Sequence, residues 1–234
     1  MIRYVLLLIF VGPWTIFLAS LVILSRLITF SPRPGQILAR FWNKGILWVT
    51  GVKVDIHGLE HVDKNGQYII VSNHTSAFDI PVIMWGYPYS MVMLSKKALK
   101  YIPLFGWAMW TSGSIFVDRK NHSSALSTMN QTVEKLKKSK SSICIFPEGT
   151  RSLDGKVRSF KKGAFMLSLN SGIPILPAII EGAFEAKSKH ANKIKSGRIS
   201  LTFYPPIDPQ NYTIETRNNF LHDTRKLFLQ KQEL

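Results

Sequence analysis

The chain has 234 residues, 46% of them hydrophobic, which excludes a disordered tail and allows a real core. Thirty Lys and Arg against fourteen Asp and Glu give a formal charge of +16, which calls for an anionic partner: nucleic acid, a membrane surface or a phosphorylated substrate. The single cysteine, Cys144, rules out an internal disulfide and, inside the apolar run "SICIF", reads as a core residue of a reducing compartment.

Between Arg3 and Arg26 lies the uncharged stretch "YVLLLIFVGPWTIFLASLVILS", Tyr4 to Ser25, which as a continuous helix would span roughly 33 Å, enough for the hydrocarbon layer. Gly12-Pro13 interrupts it. Proline removes a helical hydrogen bond and crowds the preceding turn, so a kinked or re-entrant segment fits as well as a straight span. A signal peptide fits worse, because the apolar region is long and no small-residue cleavage site precedes the next element. After "SPRPG" comes "QILARFWNKGILWVTG", where Phe41, Trp42 and Trp48 mix with Arg40 and Lys44 as in interfacial helices; an amphipathic core helix has the same pattern. So much lipid-compatible surface beside the basic groups argues for a membrane and against nucleic acid. Residues 1–50 are therefore expected as membrane-associated helices and 51–234 as one domain.

From Val52 onward the runs "VKVDIHG", "YIIVS", "SMVML", "SIFV", "SICIF", "ILPAII" and "ISLTFY" read as short strands, with helical stretches such as "SSALSTMNQTVEKLKKSK" and "KGAFMLSLNSG" between them. The pattern predicts an α/β fold with a mixed, largely parallel central sheet flanked by helices. In such a sheet, ligands gather beyond the carboxyl ends of strands. Asn73-His74 follows "YIIVS", "PEGTRS" follows "SICIF", Glu181-Gly182 follows "ILPAII", and Arg119 follows "SIFVD".

Each loop carries a chemistry. His74 as a neutral imidazole can take a proton from a hydroxyl. If the chain turns into a helix after Thr75, Asp79 can fold back onto the other ring nitrogen and fix the tautomer. No G-x-S-x-G is present to carry an acyl group, so the substrate's own hydroxyl can be the nucleophile. "FPEGTRS" supplies Gly149 for close approach to an anion, Thr150 as a donor and Arg151 as a fork matched to phosphate. Arg119 is a second fork, and "FKKGAF" adds Lys161 and Lys162 near a helix N-terminus. Together these groups describe a base beside a phosphate pocket.

The chain resembles the 1-acyl-sn-glycerol-3-phosphate acyltransferase family. Four blocks carry the likeness in order: "NHTSAFD" for Asn-His-x4-Asp, "GSIFVDR" for Gly-x-x-Phe-x-x-Arg, "FPEGTRS" without a mismatch, and "IPILPAII", with Ala178 where valine is common. "SKKALKYIPLFGW" looks like the stretch that lies between the first two. The resemblance implies that His74 is the general base and Asp79 orients it. It implies that Arg119 and the loop Glu148, Gly149, Thr150 and Arg151 bind the acceptor's phosphoglycerol, with Lys161 beside them, and that Pro177 shapes the acyl-donor side. It further implies an N-terminal two-helix element embedded in one face of the membrane; the basic body places that membrane as the cytoplasmic one, with the catalytic domain on its cytoplasmic side. The implied reaction is transfer of a fatty acyl group from acyl-CoA or acyl carrier protein to the sn-2 hydroxyl of lysophosphatidic acid, with no metal or prosthetic group.

Three other readings stand beside it. A relative with the same motifs can act on another lysolipid, such as a lysophospholipid or an ornithine lipid. His74, Asp79 and Glu148 can be hard metal ligands of a phosphoesterase, although the other histidines lie in no ligand-like spacing. A non-catalytic membrane-binding module would explain the charge and the N-terminus, but not the ordered polar loops.

Overall fold

The structure, a computed structural model, describes residues 2–118, 122–191 and 193–232, apart from the side chains of 122–130. Helix α1 (Ile2–Thr29) runs continuously through Pro13, so the Gly12-Pro13 pair does not end the segment. The helix is long and apolar enough to cross a membrane by length and composition, and only 17% of its most apolar window is buried. A core helix of a soluble domain would hide far more of such a surface.

Helix α2 (Arg33–Thr50) folds back along α1. The contact is close because Gly45 has no side chain: a Cβ there would stand 2.4 Å from Nε1 of Trp14. Two indoles tie the hairpin, Trp14 donating to the Trp42 carbonyl at 3.3 Å and Trp42 donating to Thr15 Oγ1 at 2.9 Å. Opposite Trp14, α2 turns its other face inward, where Ile46 and Leu47 join the core under the sheet. The boundary near residue 50 thus separates elements that share one core.

The body alternates strands and helices: β1 (Val52–His57), β2 (Ile69–Ser72), α3 (Asp79–Gly86), β3 (Met91–Lys96), α4 (Phe105–Thr111), β4 (Ile115–Val117), α5 (His122–Ser139), β5 (Ser142–Ile145), α6 (Gly163–Ser171), β6 (Ile175–Glu181), α7 (Ala183–Ala186), β7 (Gly197–Phe203) and α8 (Arg217–Gln232). The seven strands form one sheet in the order β1-β7-β6-β2-β5-β3-β4. Five are mutually parallel, β7 runs antiparallel to β6, and β1 lies parallel to β7. The central strands β2 and β5 are buried at every residue, as parallel strands covered on both faces require. Successive side chains serve opposite layers: Ile70, Cys144 and Leu176 pack on the α2 and α3 side, while Ile69, Ile143 and Ile175 pack on the α6 and α8 side. Cys144 is wholly buried, and burial pushes its thiol far above the ordinary value.

Candidate active site

Strands β6, β2 and β5 are neighbours, so the loops that leave their carboxyl ends meet. Four hydrogen bonds fix the loop after β2. The Asn73 amide donates to the Ile180 carbonyl and accepts the Ile180 N–H, both at 2.8 Å. Glu148 Oε1 accepts the His74 N–H at 2.8 Å, and Ser152 donates its N–H to the His74 carbonyl at 2.8 Å. The His74 ring lies flat on Phe146, with centroids 4.2 Å apart and planes inclined by 18°.

The five-residue interval from His74 to Asp79 closes because the chain turns through Thr75 to Phe78 before α3 begins at Asp79. Asp79 Oδ2 lies 2.8 Å from His74 Nδ1 and accepts the backbone N–H groups of Thr75 at 2.7 Å and Ser76 at 2.8 Å. Burial pushes the Asp79 carboxyl above its ordinary value, while His74 and the two N–H groups pull it back. Three donors on one oxygen favour the anion. A carboxylate beside Nδ1 assigns the ring proton to that nitrogen, and Nε2 keeps its lone pair. His74 is 14% exposed and Asp79 fully buried, so the dyad offers solvent one edge of the imidazole.

The loop after β5 carries the basic groups. Gly149 has φ of +73°, and a Cβ there would come within 3.0 Å of both Cε and Nζ of Lys161; glycine therefore supplies both the left-handed turn and room for the lysine. Lys161 donates its backbone N–H to Pro147 at 2.8 Å and is exposed, as is Thr150, while Arg151 is half-buried. Lys162 stands at the start of α6. Arg119 lies outside the described residues, two positions beyond the end of β4.

Two of the expected binding residues are buried. Glu148 is buried, and its carboxylate accepts the N–H of His74 on one oxygen and that of Arg158, at 3.2 Å, on the other. It braces the loop after β2 against the loop after β5. Burial raises its carboxyl above the ordinary value, and the same two N–H groups oppose the shift. Pro177 is buried within β6, opposite Val71 of β2. It shapes the sheet from inside.

All the residues of this geometry fall within one match: the acyltransferase family profile covers residues 53–181. The chain belongs to the acyltransferase family. A 1-acyl-sn-glycerol-3-phosphate acyltransferase of Limnanthes douglasii is 32% identical over 194 residues, 82% of this chain and 68% of the relative. The human 1-acyl-sn-glycerol-3-phosphate acyltransferase alpha is 29% identical over 204 residues, 87% of this chain and 72% of the relative. The crystal structure of the 1-acyl-sn-glycerophosphate acyltransferase from Thermotoga maritima superposes with a TM-score of 0.84 at 24% identity, covering 99% of this chain and 94% of that one. The fold is thus shared through the N-terminal hairpin.

In this acyltransferase two features lie beyond what the sequence motifs revealed. Phe146, the last residue of "SICIF", reads as one more strand residue, yet it is the platform under the imidazole. An apolar cavity opens between α1, α2, α3 and α4, walled by Leu18, Val22, Trp42, Met84, Phe105 and Met109, and it reaches Ile80, the neighbour of Asp79. Its lining comes from four separate helices and from β3, so no local pattern announces it.

Proposed function

We propose that this acyltransferase moves a fatty acyl group from a thioester, acyl-CoA or acyl carrier protein, to the sn-2 hydroxyl of 1-acyl-sn-glycerol-3-phosphate, forming phosphatidic acid for phospholipid synthesis. The observation that carries the reading is the 2.8 Å contact of His74 Nδ1 with Asp79 Oδ2 beside a loop that gathers Gly149, Thr150, Arg151 and Lys161. The names of the relatives support the choice of acceptor.

His74 Nε2 takes the proton of the sn-2 hydroxyl as that oxygen attacks the thioester carbonyl. Asp79 stabilises the imidazolium that forms. The tetrahedral intermediate collapses with cleavage of the C–S bond, and the imidazolium returns its proton to the departing thiolate. The base is thus regenerated in each turnover. Arg151 and Lys161, joined by Arg119, hold the acceptor's phosphate, since an arginine fork matches two phosphate oxygens. The apolar cavity beside Ile80 is suited to an acyl chain. Catalysis needs neither metal nor prosthetic group. The chain works on the cytoplasmic membrane, from its cytoplasmic side, because both acceptor and product reside in a bilayer and the basic body is drawn to anionic lipid.

The test is turnover by the purified protein with a panel of lysolipids and both donor types. Preferred use of lysophosphatidic acid over lysophospholipids and ornithine lipid is the expected result. Equal use of all acceptors, or hydrolysis of a phosphoester instead of acyl transfer, would refute the assignment.

A further inference from the structure

A second basic site lies at the opposite edge of the sheet. The segments that lead into β2, β3 and β5 carry Lys64, Ser90 and Lys140, and together with the first turns of α2 they wall a cleft of about 560 Å³. That volume falls within the range of small-ligand sites. Among the described residues, four cations line it, Arg33, Arg40, Lys64 and Lys140, and no acidic side chain does. Among the described residues, none of the four has a carboxylate partner within ion-pair distance. Arg40 anchors the floor by donating to the carbonyls of Trp85 at 3.1 Å and Pro88 at 3.0 Å, while its buried Nε has no hydrogen-bond partner among the described residues.

Lys140 adds an independent signal. It follows the end of α5 with φ of +53°, in the left-handed conformation that helix ends ordinarily give to glycine. A side chain is retained there against a backbone cost. The residue is also a lining cation of the cleft.

The mouth of the cleft is apolar. Ile37 belongs to its wall and is 55% exposed; Phe41 and Trp48 continue the same outer stripe of α2, at 48% and 75%. Alongside runs the exposed apolar surface of α1. At 18 residues, α2 is about 27 Å long. One of its ends adjoins this cleft, and the other leads into β1 at the edge where β6 ends and the His74 loop lies. A helix lying along the bilayer surface would thus bring both sites to the same leaflet.

From this placement we infer that the cleft binds the head group of an anionic phospholipid, its phosphate among Arg33, Lys64 and Lys140 and its acyl chains over Ile37 and Phe41. Charge complementarity and continuity with the apolar face of the hairpin select a lipid over a free anion. The site is distinct from the acceptor pocket and fixes the orientation of the body on the membrane. The inference rests on the membrane placement proposed above, but not on the acyl-transfer chemistry.

Calorimetric titration of the full chain in neutral detergent with dihexanoyl phosphatidylglycerol, dihexanoyl phosphatidylcholine or inorganic phosphate tests it. The expected result is saturable binding of phosphatidylglycerol, weakened about tenfold or more in the Lys64→Glu/Lys140→Glu protein and retained in Arg151→Ala. Lys64→Ala/Lys140→Ala provides the same test if charge reversal disturbs folding, with circular dichroism as the control. Turnover on a soluble short-chain acceptor is expected to stay unchanged in the double variants. Unaltered phosphatidylglycerol affinity in the double variants overturns the site. So does loss of binding in Arg151→Ala, which would move the lipid to the catalytic edge. Equal affinity for phosphatidylcholine or for inorganic phosphate overturns the choice of an anionic lipid. Failure of acyl transfer alone would leave these binding results standing, so the two proposals fail separately.

Discussion

Glu148 holds His74 by its backbone: the buried carboxylate accepts the His74 N–H at 2.8 Å across 74 residues of sequence. With Ser152 donating to the His74 carbonyl, the loop after β5 grips the peptide units on both sides of the imidazole. The position of the imidazole therefore depends on the loop after β5.

This relationship predicts the behaviour of Glu148→Gln. An amide keeps one acceptor but turns an NH2 toward a backbone N–H, leaving a buried group unpaired at a cost of about 1–3 kcal/mol. Turnover should fall while acceptor affinity changes little, and the thermal midpoint should drop. Wild-type turnover in a folded Glu148→Gln protein would show that the brace does not position the base.

The dyad gives a second prediction. His74→Ala should lose roughly 10²–10⁴-fold in rate, the usual contribution of a positioned base, with acceptor binding preserved. Asp79→Asn should also lower turnover, because an amide cannot hold the imidazolium as a carboxylate does. Single-turnover rates check both, and a near wild-type rate in either variant would contradict the assignment.

The pH dependence follows from two buried carboxyls. Burial raises both Asp79 and Glu148 above the ordinary carboxylate value. The folded state thus binds these protons more tightly than the unfolded chain does. The stability they contribute is fully present below the ordinary value and is lost as pH rises through the raised one. Acidification through that window should stop turnover, by protonating the dyad and the brace, without drawing on these groups to unfold the protein. Turnover and circular dichroism followed together should separate, with activity lost first and recovered on return to neutral pH. Coincident loss of both would oppose this.

Much of this was legible in the chain. The central strands β2 and β5 are short apolar runs, because parallel strands buried on both faces admit little else, whereas β1 and β7, half-exposed toward the sheet edge, alternate apolar with polar residues. His74 and Asp79 were legible because a five-residue turn is a local event. What escaped is non-local: Phe146 under the imidazole, and the use of Glu148 against the backbone of a loop 74 residues away. A glutamate beside a glycine and an arginine looks like part of a binding loop until the direction of its side chain is known. Pro177 likewise showed its interior position only once β6 was seen between β2 and β7.

The acceptor pocket predicts a graded series. Each charge-assisted bond to phosphate contributes about 1.5–3 kcal/mol, so Arg119→Ala or Arg151→Ala should reduce kcat/KM for a phosphomonoester acceptor roughly ten- to a hundredfold. Lysine at either position should rescue only in part, since a point charge cannot form the bidentate pair. Gly149→Ala should act on the same pocket indirectly, because its Cβ would displace the Lys161 ammonium while straining a residue at φ of +73°. Equal use of monoacylglycerol, which has no phosphate, would refute the pocket.

Membrane attachment is best tested on the outer face of α1. A chain beginning at Gly51 would also lose Ile46 and Leu47 from the core beneath the sheet, so its behaviour would mix misfolding with detachment. Ile9, Ile16 and Phe17 are exposed along α1 and lie outside the buried clusters. Replacing all three with asparagine or glutamine removes apolar surface that contributes roughly 1.5–3 kcal/mol per side chain when buried in an apolar phase, without opening a core cavity. The wild-type chain should remain with membranes in high salt and require detergent for release. The triple variant should become extractable by salt, held only by its basic surface, and should retain turnover on a short-chain soluble acceptor while losing it on acceptor embedded in vesicles. Extraction of the wild-type chain by moderate salt alone would show that α1 is not an anchor, whereas loss of turnover on the soluble acceptor would show that these side chains serve the fold.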